Sequence, residues 1–315
     1  MNTPARLLTS ALAVTAAVGL AATGSHATSP GRPGALAYVG LDHSIYSDRL
    51  VAGQVMTKRL TPGVGDHPRW PQDGTKLAYA TGARNIVVMK PDGTAKKTVS
   101  VGRSWQPNWM PVTGKPSQVG FVKVINGKGD IYAVPAAGGV AKRLTTDGAT
   151  TCGNSQPAWS ADGTYFAYVQ RTKQAAGCGS HRLVVITRAT GVKRVVQTVI
   201  WPDDGVTPLG VGDDRIDFTA DSAQIWFSLS GNTDCVETSG VYAVATGRVS
   251  VISEFDCEGE LGIPLEEAPA PGGGVVTTNC DPNGSECWIT TPRWHKTVPD
   301  DAGPLWSAFD MQPLR

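Results

Sequence analysis

Trp70–Ala80 reads WPQDGTKLAYA, Trp159–Val169 reads WSADGTYFAYV, and Phe218–Ser228 reads FTADSAQIWFS. The three segments align without a gap: an aromatic residue, an Asp three positions on, a small residue, then an apolar strand. Two degraded copies follow the same plan, WMPVTGKPSQVGFVK from Trp109 and APAPGGGVVTT from Ala268, and the fragment WSAFDMQPLR begins at Trp306. Anchors at 70, 109, 159, 218, 268 and 306 lie 38 to 59 residues apart. Propeller blades have a repeat of about 40–50 residues.

Each anchor precedes an apolar strand such as KLAYA or YFAYV. A second strand follows (NIVVMKPDG, DIYAVPAAGG, RLVVITRATG, GVYAVATG, CWITTP), then a third (AKKTVS, VAKRLT, VKRVVQ, RVSVIS). The turns PDG, AAGG and ATG between them are hairpin turns. With the strand that carries the anchor, each unit has four antiparallel strands, the content of one blade. At the ends of the chain, GALAYVG (34–40), SIYSDRLV and VMTKRLT supply three strands, and PLWSAFD supplies the fourth. The expected architecture is therefore all-β: a six-bladed β-propeller over residues 34–315, closed by pairing the N- and C-terminal strands in one mixed blade. Such pairing removes free sheet edges.

The Trp–Asp–Gly punctuation has a mechanical explanation. A large aromatic wedged between neighbouring sheets buries about 150–250 Å². The Asp accepts backbone N–H bonds in a tight turn, and the Gly supplies a positive φ. A catalytic residue is needed once, not in every blade, so Trp70, Asp73, Gly74, Trp159, Asp162 and Gly163 read as structure.

These repeats resemble those of TolB-like six-bladed propellers, whose blades carry a Trp-Ser-Pro-Asp-Gly turn followed by an Ile-Ala-Phe-type strand. The resemblance implies the fold and an interaction module. TolB has an additional α/β domain before its propeller, for which this chain is expected to have no room. Related propellers precede peptidase domains, but no Gly-x-Ser-x-Gly occurs here.

Ahead of the repeats, Arg6 precedes an apolar run from Leu7 to about Ala22, and Ser25 and Ala27 stand as in an A-x-A-like cleavage site. Residues 1–27 read as a secretory signal peptide and 28–33 as a short linker, giving a secreted or periplasmic, cell-envelope protein. The run is Ala- and Thr-rich and lacks a basic stop, which argues against a membrane span. Six cysteines fit an oxidising compartment and match no zinc spacing. Neighbouring pairs, Cys152–Cys178, Cys235–Cys257 and Cys280–Cys287, are the simplest pairing, with Cys257–Cys280 an open alternative.

The formal net charge of +1 gives no overall pull toward nucleic acid or an anionic membrane. No nucleotide fingerprint or basic nucleic-acid patch appears.

Strand order places the anchor turns and the central hairpins (PDG, ATG) on one face. The opposite face carries the blade-entry segments, the loops between second and third strands, and all six cysteines. Candidate binding residues gather there: Asp42, His43, Asp66, His67, Arg84, Trp105, Asp213, Asp214 and Arg215. Carboxylate and imidazole groups at a channel mouth suit acid–base chemistry or a divalent ion such as calcium. No cofactor or metal is assigned, since His181 and His295 fall in other contexts and no three-His set forms. Trp201 and Trp294 are further exposed-aromatic candidates.

The sequence therefore points to a monomeric, non-enzymatic binding or scaffold protein, engaging a protein or a cell-envelope glycan through its disulfide-stiffened face. A propeller lyase or hydrolase acting on a polysaccharide or peptide is the alternative. The two differ in whether Asp42, His43, Asp66, His67 and Asp214 converge.

Overall fold

The computed structural model describes residues 32–40, 42–63, 65–111, 117–175, 177–196, 210–230, 237–254, 263–269, 275–280, 287–291, 295–298 and 304–314. The signal-peptide segment, Cys235, Cys257, Trp201 and Trp294 lie outside the described residues. Among those residues no helix is long and apolar enough to cross a membrane.

The strands run in chain order. The first three are β1 (Arg32–Gly40), β2 (Ile45–Val51) and β3 (Gln54–Arg59). Then come β4 (Gly65–Arg69), β5 (Leu77–Thr81), β6 (Ile86–Met89) and β7 (Lys97–Ser100). The next set is β8 (Ser104–Met110), β9 (Gln118–Ile125), β10 (Lys128–Pro135) and β11 (Lys142–Arg143). A 3-10 turn, Asp147–Ala149, leads into β12 (Asn154–Trp159), β13 (Tyr165–Gln174), β14 (Gly177–Thr187) and β15 (Lys193–Val196). They are followed by β16 (Gly210–Phe218), β17 (Gln224–Ser230), β18 (Glu237–Ala243) and β19 (Val249–Glu254). The last are β20 (Ile263–Pro269), β21 (Val275–Cys280), β22 (Cys287–Thr290), β23 (His295–Val298) and β24 (Pro304–Leu314).

Each consecutive set of four forms one antiparallel sheet, and β24 joins β1, β2 and β3 in the order β24-β1-β2-β3. The first strands meet one another: β4 touches β8, β8 touches β12, β12 touches β16, and β24 touches both β4 and β20. Burial falls outward within a sheet. In the second sheet β5 and β6 are buried on both faces, whereas in the first sheet β3 is exposed along nearly its whole length. That gradient explains why the middle strands read as continuous apolar runs rather than alternating ones.

Trp70, Trp109, Trp159 and Phe218 sit where the repeat places them. Trp109 opposes Val119, Trp159 opposes Phe166, and Phe218 opposes Ile225, each at the start of the ladder. Each packs between two sheets. Trp70 lies among Ala35, Ala37, Val39 and Leu60 of the first sheet and Leu77 and Tyr79 of the second. Trp159 lies among Val122, Ile131, Phe166 and Tyr168. The Trp109 indole N–H also donates to the Arg69 carbonyl at 2.8 Å, joining two sheets.

The turns behave as read: Asp73, Asp162 and Asp221 accept the backbone N–H two residues on at 2.9–3.0 Å. Gly74 and Gly163 have φ of 61° and 72°, and Ser222 takes the same left-handed conformation in the third copy.

Two details differ from expectation. Strand β1 begins at Arg32, so the expected linker contributes two residues to the sheet. In the mixed sheet Ala37 faces Asp310 and Leu36 faces Met311, whereas Ala78 faces Arg69, the residue before Trp70, in the second sheet. Met311, not Trp306, therefore holds the anchor position. The offset comes from an irregularity in β24 between Pro304 and Phe309.

Candidate functional site

The expected site residues Asp66 and His67 lie on β4 itself rather than in a loop before it. The β4–β5 ladder breaks between Asp66 and Arg69, the β8–β9 ladder between Trp105 and Asn108, and the β12–β13 ladder between Ser155 and Ala158. At each break stands a Pro two residues before the anchor: Pro68, Pro107 and Pro157. Proline has no N–H to give to a ladder, so strands accept it at bulges. The residue before each Pro is left-handed, His67 at φ 48°, Gln106 at 50° and Gln156 at 49°. His67 is thus one of three equivalent bulge residues, and its backbone conformation belongs to the repeat; only its imidazole is particular to β4. The Gln106 side-chain carbonyl accepts the Gln156 N–H at 3.0 Å, tying one bulge to the next.

The local chemistry at β4 is a tight Asp–His pair. The His67 backbone N–H donates to Asp66 Oδ1 at 2.8 Å, and His67 Nδ1 lies 2.9 Å from the same oxygen. That second contact is electrostatic, and Nδ1 has no well-directed hydrogen bond. Burial works to raise the Asp66 pKa, but the His67 contacts and the charge of Arg84 outweigh it and hold it below the ordinary carboxylate value.

Asp42 has partners of its own. It bonds the Ser44 N–H and hydroxyl at 2.9 Å each and the Tyr46 hydroxyl at 3.1 Å, and it pairs with Arg59 at 3.0 Å. His43 is an exposed left-handed turn residue whose carbonyl accepts the Gly65 N–H. Arg84 stacks on the Trp105 ring at 4.9 Å, and Trp105 also packs against two core clusters, so its indole is an inter-sheet wedge. Arg215 is buried and bonded to the buried Asp217 two residues along the same strand. Asp213 and Asp214 fall in the irregular part of β16, between Val211 and Ile216. The carboxylates of Asp42 and Asp66 thus each have their own partners. Among the described residues no three His, Cys, Asp or Glu side chains form a metal-holding group.

One site on this face went unread. Buried Asp130 receives the Thr145 hydroxyl at 2.9 Å, the Gly148 N–H at 3.1 Å, the Asn154 amide at 3.1 Å and the Arg143 guanidinium. Asn154 also donates to Asp147 at 2.8 Å, and Gln170 to Asp147 at 2.9 Å. Lys193 donates to Asp147 at 2.6 Å. Burial would raise the Asp147 pKa; the bonds from Lys193, Asn154 and Gln170 prevail and lower it to about 2. A network so fully bonded fixes the blade-entry segment rather than waiting for a ligand. A sequence signal was present: Lys58-Arg59-Leu60-Thr61 recurs as Lys142-Arg143-Leu144-Thr145. Both Thr hydroxyls accept a buried backbone N–H at 2.9 Å, from Ile45 and Ile131 respectively.

Two residues before Asn154 of this network, Cys152 is disulfide-bonded to Cys178. It ties the entry segment of the fourth sheet to the hairpin β13–β14, whose strands span 10 and 11 residues against 5 and 4 for β5 and β6. Arg171, Lys173 and Gln174 near its tip are exposed. In the last hairpin the backbone register sets Cys280 directly opposite Cys287.

No family model and no curated protein matches the chain. Solved structures do match. A structure described as the nidogen/laminin complex superposes with a TM-score of 0.60 at 11% identity, covering 88% of this chain and 98% of that one. TolB from Acinetobacter baumannii gives 0.59 at 16% identity, over 89% of this chain and 67% of that one. Hydrazine synthase from Kuenenia stuttgartiensis gives 0.52 at 13% identity, over 82% and 89%.

The fold is a β-propeller. Likeness at such low identity carries the fold and nothing about activity. In propeller terms, each blade's first strand is innermost. The bulges at His67, Gln106 and Gln156 therefore stand on the inner strands, and the braced β13–β14 hairpin projects from the face where blades are entered.

Proposed function

We propose that this chain is an exported, monomeric, non-enzymatic scaffold that engages a protein or cell-envelope glycan ligand through its disulfide-braced face. In this proposal its sheets form a closed six-bladed ring, with β24–β1 as the closing pair. The observation that carries the proposal is the long β13–β14 hairpin, held by Cys152–Cys178 to the entry segment that the saturated polar network fixes. Rigid loops on a scaffold are where binding residues gather, because a pre-ordered loop loses less entropy on binding. The backbone opposition of Cys280 and Cys287 suits a second brace on the same face. The separate partners of Asp42 and Asp66 weigh against an acid–base centre built from both.

The test is affinity capture from culture supernatant and cell-envelope extracts with three baits: the mature chain, an Asp66→Ala/His67→Ala variant, and a variant with residues 173–180 replaced by a short turn. A specific ligand retained by the first two baits and lost by the third is expected. Retention by the shortened-hairpin bait overturns the assignment to this face. Turnover of glycans or peptides by the mature chain, abolished by Asp66→Ala/His67→Ala, overturns the non-enzymatic assignment.

A further inference from the structure

The near-zero net charge conceals a division. Residues 41–200 hold 21 Lys and Arg against 8 Asp and Glu, whereas residues 201–315 hold 5 against 19. The first four blades are thus strongly cationic, and a cleft beside the first of them is open.

Four outer strands place a cation at one register position. Lys58 faces Ser47, Lys97 faces Val88, Lys142 faces Ala133, and Arg194 faces Val185. Two of these cations close the cleft to the following blade. Lys97 donates to the Ala137 carbonyl, and Arg194 donates to the Val244 carbonyl at 3.1 Å. Lys58 and Lys142 make no such bond among the described residues. The cleft Lys58 should close, between the outer strands of the first blade and the turn after β6, stays open at about 390 Å³.

The lining of this cleft has two parts. Leu60, Met56, Val51 and Pro91 make its apolar side. Arg49, Lys58 and Lys90 make its cationic side, and no side-chain hydrogen bond engages any of them among the described residues. The carboxylate in the lining, Asp92, accepts the Thr94 N–H and hydroxyl at 3.0 and 2.6 Å. Three cations and one carboxylate leave a surplus of two positive charges beside apolar surface.

We infer that this inter-blade cleft binds an anionic amphiphile, a phosphorylated head group on an alkyl stem. A phosphate monoester carries about −1.5 to −2 charge at neutral pH and several acceptor oxygens, which matches the surplus. The volume lies within the range of small-ligand sites, roughly 300–1,000 Å³. The apolar side favours an amphiphile over a wholly polar polyanion. The site is remote from the disulfide-braced hairpin, so it stands whether or not that face binds a partner.

The test is calorimetric titration of the full mature chain with octyl phosphate below its micellar concentration, beside inorganic phosphate and octyl glucoside. One octyl phosphate per chain is expected, with each control probe about tenfold weaker or more. Arg49→Gln/Lys58→Gln/Lys90→Gln should weaken it by about tenfold or more, while Lys142→Gln, altering the same register position in another blade, leaves it unchanged. Met56→Trp, which fills the cleft and keeps every charge, should also abolish binding. Melting curves identify any variant that fails to fold, and Met56→Trp and the triple change test the site independently. Unchanged affinity in the folded triple variant overturns the inference, as does equal weakening by Lys142→Gln, which would mark diffuse attraction to the cationic blades. Tighter binding of an octa-aspartate peptide at this cleft would assign it to an acidic protein instead. A dimer that disappears in the triple variant would assign it to a second copy of the chain.

Discussion

Substituting Gly120 with Ala tests the inter-blade wedge directly. Gly120 lies in β9, and a methyl there would meet Trp159 of the next blade at 1.9 Å from Cη2, 2.4 Å from Cζ3 and 2.9 Å from Cζ2. Carbon atoms rest at about 3.5–4.0 Å, so the indole would have to retreat by roughly 1.5–2 Å. It has nowhere to go: Trp159 is 6% exposed and stacked on Phe166 with centroids 4.9 Å apart. Overpacking typically costs about 1–3 kcal/mol, and the disturbed aromatic pair about 0.5–1.5 kcal/mol more. Loss of glycine's freedom in the unfolded chain returns about 0.4–1 kcal/mol. The net expectation is a destabilisation of about 2–3 kcal/mol. Trp159→Phe removes the far edge of the indole that the methyl would strike. In the double variant Gly120→Ala should therefore cost at least about 1 kcal/mol less than it does alone. The assay is equilibrium urea unfolding of the four proteins, followed by far-UV circular dichroism. Additivity within about 0.5 kcal/mol, or a neutral Gly120→Ala, would refute the wedge.

Asp147 should make stability depend on acid. Its folded pKa of about 2 against an ordinary 3.8 means that the stabilisation is fully present above about pH 4–5 and is lost as pH falls toward 2. The full shift corresponds to about 2.4 kcal/mol, reduced to about 1–2 kcal/mol because the carboxylate is partly solvated at 29% exposure. Asp147→Asn should flatten that part of the urea-midpoint profile, and an unchanged profile would remove Asp147 as its source. For the disulfide, a separation of 26 residues gives about 3.5 kcal/mol in the loop-closure treatment. Cys152→Ser/Cys178→Ser should melt correspondingly lower and expose the β13–β14 tip to limited proteolysis. Equal protease resistance would show that the hairpin is ordered without the bond.

The repeat was legible because it rests on local signals. An aromatic anchor, an Asp whose side chain caps its own turn, and a left-handed small residue need no distant partner to be recognised. The bulges were half legible. Pro68, Pro107 and Pro157 all stand two residues before their anchors, which marks a ladder break, but the residue before each Pro differs in type, His67 against Gln106 and Gln156, and that difference hides their equivalence. Arg215, expected at the channel mouth, is buried against Asp217. Period-2 spacing on a strand puts those two side chains on one face, but only tertiary packing decides whether that face meets water. The Asp130–Asp147–Asn154–Gln170 network was illegible because its members come from three strands and a 3-10 turn, at separations that sequence spacing does not encode. Met311 rather than Trp306 takes the anchor's register position because no covalent turn sets the register between β24 and β1. Elsewhere a tight turn fixes the ladder; here the pairing of two remote segments does.

A repeat protein makes its backbone many times over, so function belongs where one copy stops doing what the others do. That rule separates residues that composition alone would group together. His67 occupies a bulge that Gln106 and Gln156 also occupy, so its left-handed backbone, which costs about 1–3 kcal/mol, is part of the framework. Lys58 shows the opposite case. Its register position is shared with Lys97, Lys142 and Arg194, but Lys97 and Arg194 spend their charge on the next blade's outer turn while Lys58 faces an open cleft. The β13–β14 hairpin outgrows β5–β6 and is the hairpin whose tip Cys178 fastens to the blade-entry segment. Both departures lie in the cationic part of the chain. The framework needs neither of them: a hairpin the length of β5–β6 already completes a blade, and a cation bonded as Lys97 is already closes a cleft. What the framework does not need is where a ligand can be accommodated without disturbing the fold.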